Sequence, residues 1–84
     1  MPAKKGLANF NFNTPAIYRI HVKGVLNSDW TQKLAGMQIT NSPKKETLLV
    51  GKLADQAALA GVLEILYNLH LPVLSVECME TLSE

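Results

Sequence analysis

Residues 53–76 read LADQAALAGVLEILYNLHLPVLSV, and this stretch decides the fold of the 84-residue chain. From Ala58 onward the large aliphatic residues recur three and four positions apart, which is the spacing of a helix with one buried face. Asp55 is a suitable N-cap, because its carboxylate accepts hydrogen bonds from the free N–H groups of the first turn. Pro72 ends the helix, since proline cannot continue it. We therefore predict one amphipathic helix followed directly by a buried strand.

The face of this helix that points away from the predicted core carries few charges. Glu64 is the only charged residue among six positions, whereas a solvated helix face usually carries more. Small residues allow a second subunit to approach closely, and Tyr67 can anchor such a contact. The simpler interpretation is that alanine is a good helix former and that Gly61 is tolerated. The candidate interface residues, beside Asn68, are Ala57, Ala60, Gly61, Glu64 and Tyr67.

Length and charge limit the classes of function. The chain has room for one domain, and so short a chain buries only about 60–65% of its unfolded surface, a shortfall that oligomerisation commonly remedies. A net charge of +1 gives no general attraction to nucleic acid or to an anionic membrane. Residues 1–52 carry 8 − 2 = +6 and residues 53–84 carry −5, an asymmetry that favours attraction between the two halves of one fold.

The sequence also predicts a cytoplasmic location and no membrane span. Cys78 is the single cysteine, which excludes an intrachain disulfide and a cysteine-rich metal site and suits a reducing compartment. The first ten residues, MPAKKGLANF, lack the apolar core of a signal peptide. Polar residues interrupt the longest apolar region before it reaches a membrane-spanning length.

Four strands are predicted around the helix. Residues 16–26 alternate between apolar and basic side chains, with Tyr18, Ile20 and Val22 expected to face the core. Residues 37–41 and 46–53 flank the polar turn NSPKK and predict a β-hairpin, and residues 72–78 predict the last strand.

Residues 27–34 decide between two element orders. Asn27 or Ser28 can cap a short helix there, and Trp30 and Leu34 would share one face of it. With this helix the order is β-α-β-β-α-β, and the predicted fold is α+β and ferredoxin-like, with both helices on one face of the sheet. In the alternative, β-β-β-α-β, residues 27–34 form a loop and only one true helix exists.

We place a single α+β domain at residues 16–78, between a flexible N-terminal arm at residues 1–15 and a C-terminal tail at residues 79–84. The arm combines lysine, glycine, asparagine and proline residues, which are typical of irregular segments. Phe10 and Phe12 alternate with asparagine, and this pattern also fits a short edge strand that covers an apolar patch.

The predicted fold leaves one face of the sheet open. Its first and last strands should be antiparallel neighbours, so Glu77 is expected to pair with Arg19 or Lys23. This face can stack on another subunit, bind a small ligand or bind a nucleic-acid strand. The expected residues of the face include Gln38, Thr40, Gly51 and Val73, and the candidate open-sheet site is Arg19, His21, Lys23, Leu49, Ser75 and Glu77.

Motifs for catalysis and for RNA binding are missing from the sequence. His21 and His70 lie in different elements, no cluster has metal-ligand spacing, and no glycine-rich phosphate loop or nucleophile elbow is present. RNA-binding sheets of ferredoxin-like topology carry aromatic residues on their central strands, and no such motif occurs here. We therefore assign no catalytic residue, cofactor or metal ligand, and expect no nucleic-acid partner.

The chain resembles a group of small uncharacterised bacterial proteins. The resemblance rests on V-x-G-x-L-x-x-x-W from Val22, G-M-x-I from Gly36, T-x-L-x-G-x-L-x-D-Q-A-A-L-x-G-V-L from Thr47 and L-x-L-P-x-L-S-V from Leu69. It covers nearly the whole domain apart from both tails. The group has no known activity, so the resemblance implies no catalytic or binding residue.

These observations favour a non-catalytic α+β protein that self-associates and serves as an interaction or regulatory module, with another copy or another protein as partner. One alternative is a small-ligand sensor at a subunit interface. Another is a small dimeric α+β enzyme that uses His21 as a base in a closed cleft.

Overall fold

A computed structural model describes residues 14–82 of the chain. All four strands form one antiparallel sheet in the order β2-β3-β1-β4. The protein is therefore α+β, as the sequence predicts. Its elements are β1 (Ala16–Lys23), two 3₁₀ turns (Ser28–Trp30 and Gln32–Leu34), β2 (Gln38–Asn41), β3 (Glu46–Leu53), α1 (Gln56–Asn68) and β4 (Val73–Thr81).

The predicted ferredoxin-like order is wrong, because residues 27–34 do not form an α-helix. The backbone bonds there span three residues, as from Trp30 N–H to the carbonyl of Asn27 at 3.0 Å. Ala35 and Gly36 then adopt left-handed φ values of 59° and 78°, which stop the turn. So short a segment makes too few hydrogen bonds to offset α-helix nucleation and closes as 3₁₀ turns instead. The strands and the helix follow the order β-β-β-α-β.

Several local features predicted for this segment are nevertheless present in the turns. Asn27 is the cap, and its Oδ1 accepts a hydrogen bond from the N–H of Asp29 at 2.9 Å. Leu34 is fully buried and Trp30 packs against the core beside it. The Nζ of Lys33 lies 5.1 Å from the centre of the Trp30 ring, a cation–π contact.

The core lies between one face of the sheet and α1. Tyr18, Ile20 and Val22 of β1 are buried on this face, as predicted from their alternation. Asp55 caps α1, since its Oδ1 accepts a hydrogen bond from the N–H of Ala58 at 2.9 Å. The predicted buried face of the helix is confirmed, and its members in the core or packed against it are Ala58, Leu59, Val62, Leu63, Ile65, Leu66 and Leu69.

Helix α1 ends in a Schellman motif. The N–H of Leu71 donates to the carbonyl of Leu66 at 3.1 Å, and the N–H of His70 donates to the carbonyl of Tyr67 at 3.0 Å. His70 has a φ of +59°, in the left-handed region that glycine usually occupies in this motif. His70 therefore lies just beyond the helix end, and Pro72 follows it into β4.

The last strand is longer and less regular than predicted. It runs to Thr81, whereas the sequence analysis ended it at Cys78, so the first part of the predicted C-terminal tail belongs to the sheet. Its pairing with β1 shifts twice, and the shifts leave Leu74 and Met79 as extra residues. Residues 1–13, with Phe10 and Phe12 and most of the predicted arm, lie outside the described part of the chain.

Candidate functional site

The open face of the sheet is centred on the outward side chains of β1. Arg19 lies directly opposite Glu77 of β4, and His21 lies opposite Ser75. The Nε of Arg19 donates to Oε1 of Glu77 at 2.8 Å, and its Nη2 contacts the same oxygen. Glu77 therefore pairs with Arg19, the first of the two partners predicted, while Lys23 lies opposite Glu46.

A hydrogen bond between side chains joins β1 to β3 on this face. The Nε2 of His21 lies 2.7 Å from Oε1 of Glu46, a residue that the sequence analysis did not select. Its position at the start of β3, diagonal to His21 across the two strands, was the available signal. The side chains of Arg19 and Glu77 are about half exposed, so that pair contributes roughly 0–1 kcal/mol to stability.

Arg19, His21 and Glu77 line an open depression of about 290 Å³. The structure brings together Arg19, His21, Ser75 and Glu77 of the candidate open-sheet site, while Lys23 does not line the depression. Ser42 and Leu48 complete the lining and were not selected from the sequence.

Leu49 does not belong to this site, and its assignment to the open face is wrong. It lies opposite Ile20 and is fully buried in the core, whereas Leu48 lies opposite His21 on the open face. The run Leu48-Leu49-Val50 is apolar on both faces, so alternation along β3 does not reveal which residues point inward. Only the pairing with β1 shows which residues of β3 face the core.

Gly51 and Val73 were also assigned to the open face incorrectly. Gly51 lies opposite Tyr18, and a Cβ there would stand only 3.0 Å from the Cα of Met37, so the core side of the sheet has no room for a side chain at this position. Val73 lies opposite Val22 because the extra residue Leu74 shifts the phase of β4. Gln38 and Thr40 are exposed and lie opposite Val50 and Leu48, on the face predicted for them.

The depression is open to solvent, and two of its charged side chains, Arg19 and Glu77, pair with each other. Within residues 14–82, no three His, Cys, Asp or Glu side chains are close enough together to hold a metal ion. No helix in the same range is long and apolar enough to cross a membrane.

A second candidate surface runs along β4. Four large apolar side chains there are 40–50% exposed, and Tyr67 at the end of α1 is 79% exposed. An open depression of about 260 Å³ lies at the junction of α1 and β4, and Tyr67 and Pro72 are among the residues that line it. We call this the β4 surface, made of Tyr67, Val73, Leu74, Val76 and Met79.

The β4 surface is uncovered because of where the helix lies. Helix α1 packs most closely against β3 and the second 3₁₀ turn. It therefore covers the β3 side of the sheet and leaves β4, at the opposite edge, uncovered. The candidate interface residues on the helix are all exposed, as predicted: Ala57, Ala60, Gly61, Glu64 and Tyr67.

Comparison with protein families matches residues 17–77 to a domain of unknown function (DUF8691). The chain belongs to the DUF8691 family. The DUF8691 match spans every residue that lines the open-face depression and most of β4. It agrees with the expected resemblance to a family without an assigned activity. No curated protein and no solved structure matches the chain.

Proposed function

We propose that this DUF8691 domain is a non-catalytic, self-associating module for interaction or regulation, acting in the cytoplasm with a second copy of the chain as its partner. The observation that carries the proposal is the β4 surface. Exposed apolar side chains that stand singly are common on monomers, but four of these lie on one nine-residue strand. Such a patch is typical of an interaction site.

The two edges of the sheet support this assignment by their contrast. The edge strand β2 has four residues, carries Gln38, Thr40 and Asn41, and is followed by Pro43 and two lysines, which are features that discourage pairing with another chain. The edge strand β4 has nine residues and contains no lysine, arginine or proline. Although β4 carries Glu77, Glu80 and two register shifts, its length and its lack of lysine and proline leave it less protected than β2, which favours β4 as the edge that meets a partner.

The small size of the domain points in the same direction. A chain of 84 residues buries a limited share of its surface, and covering the β4 surface with a second copy would add apolar burial that one copy does not make. Self-association would therefore stabilise the fold as well as create the module.

Sedimentation of the full chain over a concentration series tests the proposal. We expect a reversible dimer at micromolar concentrations. Replacing Val76→Lys places a charge in the apolar patch and should weaken the dimer at least about tenfold, since tenfold corresponds to about 1.4 kcal/mol. Thr40→Lys on β2 is the matched control and should leave the stability of the dimer unchanged. A monomer at every concentration would contradict the proposal.

The exposed face of α1 competes with β4 as the contact surface. Ala57 is exposed and remote in sequence from Tyr67. Because lysine is a good helix former, Ala57→Lys should preserve the helix. If this variant dissociates the dimer while Val76→Lys does not, the helix face is the interface. Tyr67→Ala alone does not separate the two, because Tyr67 belongs to both surfaces.

A second candidate function, a small-ligand sensor, is favoured by the open-face depression. Arg19 binds a carboxylate there through two nitrogen atoms, so a ligand with its own carboxylate can take the place of Glu77. A panel of small carboxylic acids should contain one that raises the melting temperature, because binding to the native state stabilises it. The shift should vanish in Arg19→Ala and persist in Lys33→Ala. No shift across the panel would contradict this function.

A further inference from the structure

We infer that two copies join through their β4 strands, antiparallel, with Val76 of each copy opposite Val76 of the other. The two four-stranded sheets would then form one continuous sheet of 4 + 4 = 8 strands. This inference rests on the proposed self-association and specifies the strand and the register through which it occurs.

Within the described part of the chain, no strand pairs with the outer edge of β4. The N–H of Lys23 donates to the carbonyl of Pro72 on the β4 side, and the N–H of Gly24 donates to the carbonyl of Lys45 on the β3 side, both at 2.8 Å. Because successive residues of a strand alternate in this direction, Arg19 and His21 direct their backbone groups at β4.

The same alternation fixes which residues of β4 face outward. Ser75 and Glu77 lie opposite His21 and Arg19, so their backbone groups point towards β1. Val76 lies between them, so its N–H and C=O point away from the sheet, and those of Cys78 do likewise. Within residues 14–82, β4 pairs with β1 and with no other strand, which leaves these groups open to a partner.

Two-fold symmetry limits the registers that a β4 pair can adopt. When the axis is perpendicular to a continuous sheet, one residue must lie opposite its own copy. The regular part of β4 lies between the extra residues Leu74 and Met79. The residue that lies opposite its own copy, which we call the centre, is therefore one of residues 75–78. Only a centre in this part preserves the strand geometry that a ladder of hydrogen bonds needs.

Charge selects among these four centres. A centre at Glu77 places two glutamates directly opposite each other, which is destabilising. Centres at Ser75 and Cys78 place a glutamate opposite a valine. A centre at Val76 avoids both of these unfavourable arrangements. It places the two valines opposite each other and Glu77 opposite Ser75, whose hydroxyl can donate to the carboxylate.

This register would also bring the two open-face depressions together. Ser75 and Glu77 line the depression in each copy, and each would lie opposite the other residue across the axis. The two depressions would thus border one another at the centre of the dimer, so that a ligand bound in one contacts both copies.

Disulfide trapping tests the register with a single engineered cysteine. In a Cys78→Ser background, Val76→Cys should form a disulfide-linked dimer in a glutathione buffer, because opposite residues in this pairing have Cα atoms about 5.5 Å apart. The unaltered chain should not cross-link, because two Cys78 residues would be separated by four residues, or about 13 Å. Thr40→Cys in the same background is the control for random collision.

Amide hydrogen exchange provides a readout that needs no substitution. The N–H groups of Val76 and Cys78 should become protected as protein concentration rises, since only the second copy bonds them. Those of Ser75 and Glu77 are bonded to β1 and should be protected at every concentration. Protection of Val76 that is independent of concentration would overturn the pairing.

The outcomes separate this inference from the proposed function. Cross-linking through native Cys78, or equal cross-linking of the Val76→Cys and Thr40→Cys chains, overturns the register. A dimer in sedimentation that cross-links through Tyr67→Cys but not through Val76→Cys retains self-association and overturns the β4 pairing. A monomer in sedimentation overturns both.

Discussion

Ile20 and Val76 lie directly opposite each other on β1 and β4, yet Ile20 is fully buried and Val76 is 40% exposed. Residues that are directly opposite share a face of the sheet, so both point towards the side that carries α1. The difference in exposure therefore shows where the core ends. Helix α1 reaches over the centre of the sheet and stops short of the β4 edge.

This difference predicts unequal costs for truncating the two side chains. Ile20→Ala leaves a cavity in packed surroundings and should lower the free energy of unfolding by about 2–5 kcal/mol, whereas Val76→Ala should cost less than about 1 kcal/mol. Urea unfolding at a concentration where the chain is monomeric measures both. If Ile20→Ala does not fold, Ile20→Val should show a smaller loss of about 0.5–1.5 kcal/mol. Equal costs would mean that the core extends over β4.

Thr47 is predicted to hold the segment after β1 against β3. Its fully buried Oγ1 accepts a hydrogen bond from the N–H of Leu26 at 3.1 Å, and its proton lies within reach of the carbonyl of Gly24 at 2.7 Å and of Oδ1 of Asn41 at 2.8 Å. Thr47→Val keeps the shape but removes the hydroxyl from this network and leaves the carbonyl of Gly24 without its side-chain donor, so the free energy of unfolding should fall by about 1–3 kcal/mol.

Two controls distinguish the hydrogen bonds of Thr47 from its packing. Thr47→Ser retains the hydroxyl and should recover part of the stability lost in Thr47→Val. Thr40→Val makes the same chemical change at an exposed site and should alter stability by no more than about 0.5 kcal/mol. Equal stability of the Thr47→Val and native chains in urea would contradict the role assigned to the hydroxyl.

Replacing His70→Gly should stabilise the protein. The left-handed φ of +59° at this helix end strains any residue with a Cβ, and glycine adopts it freely, so a gain of about 1 kcal/mol is expected. His70→Ala keeps the Cβ and should show no such gain, which separates backbone strain from loss of the imidazole. A higher urea midpoint for glycine alone supports the prediction, and a lower one contradicts it.

Tyr18 should make stability fall at alkaline pH. Burial raises the pKa of its phenol above the usual 10.0, against a smaller lowering by the hydrogen bond from Gln56. The unfolded chain therefore releases this proton at a lower pH than the folded chain, so stability that is fully present below pH 10.0 is lost as pH rises above it.

Urea unfolding between about pH 9 and about pH 11 measures this effect. Tyr18→Phe removes the titrating group, so its stability should decline less steeply over this range than that of the native chain. The lost bond to Gln56 shifts the Tyr18→Phe values by a constant amount and leaves the slope unaffected. Parallel curves for the two chains would contradict the prediction.

Much of the fold follows from local patterns along the chain. Alternation in β1 located the buried Tyr18 and Ile20, and the spacing of aliphatic residues located α1 with Asp55 as its cap. Arg19 was also one of the two partners predicted for Glu77, because that prediction needs only the neighbouring placement of β1 and β4. Each of these signals lies within one element or depends on one simple pairing.

The candidate site was predicted less completely, because its residues come from several elements. Leu48 and Leu49 are chemically alike, so only the pairing with β1 shows which one lines the depression. Ser42 reaches the same place from the turn after β2, and no pattern in its own sequence indicates that position.

The sequence by itself determined where the helix and strands lie, because the periodicities of the helix and of β1, the cap at Asp55 and the polar turn after β2 are local properties. Tertiary structure decided the rest: the phase of β3, the extra residues in β4 and the 3₁₀ form of the segment after β1. It also decided that Val76, apolar like Ile20 and opposite to it, remains exposed. The physical reason is that strand order and helix position depend on contacts between distant residues, which no local pattern specifies.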